Sequence, residues 1–122
     1  MDKKLGIEKK EDYMLIIFPP CNSVDEVKME INEMYDAIKA EKPAKLLVDM
    51  TSTKKKFKVE EMWDIALSVW DKEVRHLKIA LVSSEESAYP ERFFQNMMRE
   101  FDINLMRFTV NKNEAAEWLL GD

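Results

Sequence analysis

The spacing of the hydrophobic residues changes repeatedly along the chain, and these changes constrain its fold more than any other feature of the sequence. Strand patterns cover residues 4–8, 13–18, 45–49, 77–83 and 105–110. The three central segments are almost continuously apolar, which is expected of strands covered on both faces. The last segment alternates apolar and polar side chains, which predicts an edge strand. The charged residues 9–12 predict a hairpin turn between the first two strands.

Between the strands the hydrophobic period becomes helical. After Ser23, apolar residues recur at spacings of three and four, and Glu26 completes a capping box. This pattern predicts a helix from near Val24 to a point before Pro43. Further helices are predicted over residues 59–70, from Pro90 to residue 101, and from the cap residue Asn111 to Gly121.

The predicted elements follow the order β-β-α-β-α-β-α-β-α. Helices between consecutive strands supply the crossover connections that parallel strands need, so the pattern predicts an α/β fold. We expect a mostly parallel, five-stranded sheet with about four helices packed on it, built as a single domain over residues 1–122. The sequence contains no internal repeat and no low-complexity linker.

The composition excludes several classes of protein. With 46% hydrophobic and 35% charged residues, the chain is too apolar for disorder and too charged for a membrane protein. No apolar run approaches the roughly 20 residues that span a bilayer. The two lysines near the N-terminus have no apolar stretch directly behind them, so we expect no signal peptide and a cytoplasmic location. A net charge of −5 argues against a nucleic-acid partner.

Residues with catalytic chemistry are few. Cys21 is the sole cysteine, so no internal disulfide can form, and the sole histidine, His76, excludes a His-based metal cluster. The two glycines are too few for a Gly-rich phosphate loop. Carboxylate pairs such as Glu60 and Glu61 fall where the helix dipole and solubility account for them. We therefore predict a non-enzymatic protein with no catalytic residues, no metal and no cofactor.

One polar loop is the first candidate for a functional site. Residues 49–58, called the 49–58 loop below, follow a strand expected at the centre of the sheet, and open parallel sheets bind ligands at that end of their strands. The candidate residues are Asp49, Thr51, Ser52, Thr53, Lys54 and Lys55. Two interpretations are open. The loop is solvated and Asp49 caps its own backbone, or the lysines hold a phosphate or a phosphorylated hydroxyl.

Aromatic side chains on two helices form the second candidate. Trp63 and Trp70 are seven residues apart and so lie on one helical face, while Phe93 and Phe94 lie on the next helix. Such stripes are typical of a hydrophobic core. The alternative is a pocket for a small apolar ligand or a face that binds a partner, and the nine methionines of the chain favour such adaptable packing.

Short motifs near the C-terminus point to a family. Residues 104–108 are predicted to form a strand that leads to Phe108, and residues 114–119 have the sequence E-A-A-E-W-L. An apolar strand that ends in Asp49 and the segment over residues 78–82 are further matches. With two strands followed by strand–helix alternations, the chain resembles the STAS fold of anti-sigma factor antagonists. More specifically, it is similar to the SpoIIAA-like family, which joins STAS proteins to the lipid-binding CRAL-TRIO group.

The resemblance implies a regulatory or protein-interaction domain of the anti-sigma factor antagonist kind. In those antagonists the helix after the Asp-ending strand begins with an Asp-Ser-Ser-Gly type of turn, whose serine is phosphorylated. Here residues 51–60 contain no glycine, and Ser52 lies earlier, in the loop. We therefore expect a regulator without the usual phosphoserine motif.

The alternative function is a carrier or sensor of a lipid-like ligand. The expected partner is thus another protein, a second copy of the chain in a homodimer included, or a small apolar molecule.

Overall fold

The computed structural model describes residues 5–70, 77–87, 89, 91–100 and 106–121. In chain order its elements are β1 (Gly6–Lys9), β2 (Met14–Ile17), α1 (Val24–Glu41), β3 (Lys45–Met50), α2 (Val59–Trp70), β4 (Lys78–Ser83), α3 (Glu91–Glu100), β5 (Met106–Thr109) and α4 (Lys112–Leu120).

The described strands form one sheet in the order β1-β2-β3-β4-β5. The α/β class predicted from the sequence is confirmed. The prediction of a mostly parallel sheet is refined to a mixed sheet, because β1 runs antiparallel to β2 while the other three pairings are parallel. Only residues 10–13 join β1 to β2, too few for a crossover connection, and the Lys10 N–H donates to the Tyr13 carbonyl at 2.9 Å to close the turn.

Local signals in the sequence set the ends of two helices. At the start of α1, the Ser23 hydroxyl accepts a hydrogen bond from the Glu26 N–H at 3.2 Å. The Asn111 side chain caps α4 by accepting from the N–H groups of Asn113 and Glu114 at 2.9 and 3.1 Å. Both caps were predicted from the sequence and are confirmed. The predicted start of the third helix, Pro90, lies outside the described residues. None of the described helices is long and apolar enough to cross a membrane.

Apolar side chains cover both faces of the central strands, which explains their continuous hydrophobic runs. On one face, residues of β2, β3 and β4 pack with α1 in a cluster that includes Ile16, Val48 and Ile31. The opposite face packs against α4, whose Ala115 and Leu119 are fully buried. Complete burial of a leucine side chain such as that of Leu119 stabilises a fold by about 1.5–3 kcal/mol. The sheet is therefore the middle layer of the described structure.

α4 is also fixed at its C-terminal end. The Lys78 ammonium, at the start of β4, donates to the carbonyls of Leu119 and Gly121 at 3.2 and 2.8 Å. It lies 4.7 Å from the centre of the Trp118 ring. Because the last carbonyls of a helix have no partner within the helix, this cation satisfies groups that would otherwise depend on water.

Candidate functional site

The 49–58 loop lies at the carboxyl edge of the sheet, which is the edge where the parallel strands β2 to β5 end. The loop follows β3, and it lies between residues 18–23, which follow β2, and residues 84–87, which follow β4. The first turn of α4 begins at the same edge. The topology therefore brings polar residues from several connections together around this loop.

Asp49 joins the loop to α4. Its side chain is largely buried, and its Oδ1 accepts hydrogen bonds from the Thr51 N–H at 2.9 Å and from the Thr51 hydroxyl at 2.6 Å. Its Oδ2 lies 3.4 Å from the Lys112 ammonium. Burial alone would raise the pKa of the Asp49 carboxyl, but the Thr51 hydrogen bonds and the Lys112 charge outweigh it and hold that pKa below its usual value. Asp49 is therefore an ionised residue that stabilises the local structure.

Thr53 is buried, although it belongs to a polar stretch. It is 3% exposed, and its hydroxyl accepts a hydrogen bond from the Cys21 N–H at 3.0 Å. Its carbonyl accepts from the Ser84 hydroxyl at 2.7 Å. Thr53 thus connects the 49–58 loop to the loops that follow β2 and β4, and it is not available to a ligand.

The Cys21 thiol is not arranged as a nucleophile. It is buried and donates to the Pro19 carbonyl at 3.3 Å. Burial, together with the nearby Glu30 carboxylate, raises the pKa of this thiol. A thiol in these surroundings stays protonated at neutral pH.

Ser52 and the lysines make up the exposed part of the loop. Ser52 is exposed, whereas Thr51 is half-buried and donates its hydroxyl to Asp49. Lys54 forms an ion pair with Glu86 at 3.3 Å, and the Lys55 ammonium donates to the Asn22 carbonyl at 3.2 Å. If a hydroxyl of this loop is phosphorylated, Ser52 is therefore the one that an enzyme can reach.

Two residues of the site, Tyr89 and Lys112, were not predicted from the sequence. The Lys56 ammonium lies 4.8 Å from the centre of the Tyr89 ring, and the Tyr89 hydroxyl donates to the Phe57 carbonyl. The Tyr89 ring also stacks on Phe93, with a centroid distance of 4.6 Å and an angle of 28°. A Tyr and a Phe four residues apart near a helix start were the available signal. For Lys112, the signal was a lysine next to a helix cap.

The aromatic candidates are only partly described. Trp63 and Phe93 are half-buried. Phe93, through its contact with Tyr89, lies beside the 49–58 loop. The side chains of Trp70 and Phe94 lie outside the described part of the structure, so the predicted apolar pocket stays a prediction.

The described residues contain no group of three or more His, Cys, Asp or Glu side chains that could hold a metal ion. His76 lies outside these residues. Within the described part, the site is therefore an exposed loop of hydroxyl and ammonium groups, whose conformation the buried residues Asp49 and Thr53 stabilise by hydrogen bonds.

In comparisons with known proteins, no family model matches the chain, and no curated protein matches its sequence.

Proposed function

We propose that the chain is a non-enzymatic regulatory or protein-interaction domain, which presents the 49–58 loop and the start of α2 to a protein partner. One observation supports the proposal most directly: hydrogen bonds hold the loop to the connections after β2 and β4, while the side chains of Ser52 and the lysines stay exposed. Thr53 bonds to Cys21 and to Ser84, and Lys55 bonds to the Asn22 carbonyl. A loop that is already ordered loses less conformational entropy when it binds, which favours affinity.

The pKa and the contacts of the Asp49 carboxylate support a non-enzymatic role. A general base needs a pKa near the working pH and access to the proton that it removes. The pKa of the Asp49 carboxyl is instead lowered, and both of its oxygens already have partners in Thr51 and Lys112. The Asp49 carboxylate therefore stabilises the local structure through Thr51 and Lys112.

The resemblance to the SpoIIAA-like family of STAS proteins is part of the proposal. The order of the described elements and the position of Asp49, one residue before the end of β3, support this part of the proposal. Ser52 lies in a turn after β3, whereas α2 begins only at Val59. We therefore infer a partner-binding role like that of the anti-sigma factor antagonists, without their serine at the start of the helix.

The test is capture of partners by the tagged, full-length protein from its own host. Ser52→Arg places a large side chain on the exposed tip of the loop, and Asn32→Arg places the same side chain on the exposed face of α1 as a matched control. We expect the same proteins to be recovered with the wild type and with Asn32→Arg, and to be lost with Ser52→Arg. Equal recovery with both variants, or no stable partner with the wild type, would contradict the proposal.

A further inference from the structure

Two lysines of the 49–58 loop are held by neutral groups. The Lys55 ammonium bonds to the Asn22 carbonyl and lies 5.5 Å from the centre of the Phe57 ring, and the Lys56 ammonium lies 4.8 Å from that of Tyr89. A carbonyl or an aromatic ring positions a cation without neutralising its charge.

The other cations at this edge differ from these two. Lys54 pairs with Glu86 at 3.3 Å and Lys112 pairs with Asp49 at 3.4 Å. Within the described residues, no carboxylate lies at ion-pair distance from Lys55 or Lys56. The two ammonium groups thus have neutral contacts and, within the described residues, no ion-pair partner. We call Lys55, Lys56 and the Tyr89 ring the lysine surface.

The lysine surface is small because carboxylates border it. Glu60 and Glu61, at the start of α2, lie near enough to the Tyr89 hydroxyl to add to the effect of burial and raise its pKa. Glu86 pairs with Lys54, the residue that precedes Lys55. A long polyanion such as nucleic acid needs an extended track of cations and would meet these carboxylates. A short acidic segment can contact the two lysines and avoid them.

The net charge of the whole chain influences where an acidic partner can associate. The net charge of −5 disfavours association with an acidic partner unless a local group of lysines attracts it. Complementary charges at one place then determine where and in which orientation such a partner associates.

We propose that the partner of the 49–58 loop presents a short acidic peptide segment whose carboxylates contact Lys55 and Lys56. The inference rests on the proposed function, and it specifies the chemistry of the partner. The carboxylates would complete two ion pairs, and the Tyr89 ring, which Phe93 and the Phe57 carbonyl hold in place, would keep the second lysine in position.

The test measures binding of a fluorescein-labelled hexaglutamate peptide by fluorescence anisotropy at low ionic strength. K55Q/K56Q removes the two charges, and K55R/K56R keeps them. The control K10Q/K39Q removes two lysine charges elsewhere, whose carboxylate partners are Glu8 and Asp36 at 3.6 Å each. We expect K55Q/K56Q to raise the Kd about fivefold, as two exposed ion pairs would, and the other two variants to raise it less than about twofold.

Two results of the peptide titration would overturn the inference: no binding by the wild type, or equal losses with K55Q/K56Q and K10Q/K39Q. Thermal unfolding of each variant checks that its fold is intact. The proposed function is judged separately by partner capture. If captured partners are lost with Ser52→Arg but kept with K55Q/K56Q, the loop binds a partner and the acidic chemistry is wrong.

Discussion

The Lys112 ammonium lies 3.4 Å from the Asp49 carboxylate, and this ion pair joins the first turn of α4 to the end of β3. Lys78 bonds to the carbonyls at the opposite end of α4. The two lysines thus fix both ends of the helix that covers Leu47 and Ala80 on one face of the sheet. The position of α4 and the shape of the 49–58 loop consequently depend on the same carboxylate.

Replacement of Asp49 by alanine should destabilise the protein. Asp49→Ala removes the acceptor of the Thr51 N–H and hydroxyl and leaves Lys112 without its partner. We expect a loss of about 2 kcal/mol in the free energy of unfolding, measured by urea titration, because partly buried donors lose their acceptor. The matched control is Asp36→Ala on α1, whose carboxylate is highly exposed and pairs with Lys39. Its effect should stay below about 0.5 kcal/mol, and equal losses would contradict this role of Asp49.

The contribution of Asp49 should depend on pH in a defined direction. Its folded-state pKa is lowered, so it lies below the unfolded value of about 3.9. The carboxylate therefore contributes stability above the unfolded pKa and loses that contribution as pH falls through the folded pKa. Urea titrations of the wild type and of Asp49→Asn should show a stability difference that is constant near neutral pH and shrinks below about pH 4. A difference that grows on acidification would refute the assignment.

Thr53 offers a test of how the loop is held in place. Thr53→Val preserves the shape of the side chain but removes the hydroxyl that accepts from the buried Cys21 N–H. We expect a loss of about 1–3 kcal/mol in urea titration and faster hydrogen exchange at the Cys21 amide. Thr53→Ser keeps the acceptor, so it should retain the slow exchange. Fast exchange in both variants would show that the hydroxyl does not protect this amide.

Lys78 should stabilise the end of α4. Lys78→Met keeps much of the aliphatic chain but loses the hydrogen bonds to the carbonyls of Leu119 and Gly121. The expected cost in urea titration is about 1 kcal/mol. Lys45 is its register neighbour on β3, so Lys45→Met is the matched control and should cost clearly less. If the two substitutions cost the same, the cap contributes nothing specific.

The parts of the fold that could be predicted are those encoded over a few neighbouring residues. In the caps at Ser23 and Asn111, the acceptor and the donor are at most three positions apart. In the central strands, the continuous apolar residues themselves predict burial on both faces. The pair of Asp49 and Lys112 could not be predicted in the same way. These residues are 63 positions apart, and the chain has 19 lysines and arginines that could have met this carboxylate.

The burial of the loop residues was equally hidden. Thr51, Ser52 and Thr53 are adjacent, similar and polar, yet the last is buried and the middle one is exposed. The difference arises because the Thr53 hydroxyl meets the Cys21 N–H, which comes from a loop 32 positions away. Contacts between loops follow from the packing of the strands that carry them, and a local pattern does not contain this information.

Native mass spectrometry decides between the proposed function and the alternative of a carrier for a lipid-like ligand. Trp63 and Phe93 are half-buried, and the described contact of Phe93 is a stacked Tyr89 ring. Phe93 already packs against a neighbouring side chain, as a residue that supports the loop would. We therefore expect the freshly purified protein to have, under native conditions, the mass of a polypeptide monomer or dimer with no added component. After denaturation it should have the mass of one polypeptide. A component of a few hundred daltons that is released on denaturation would contradict this expectation. The helices that carry Trp63 and Phe93 would then be the place to map a ligand pocket, because drug-sized apolar molecules bind in cavities lined by such side chains.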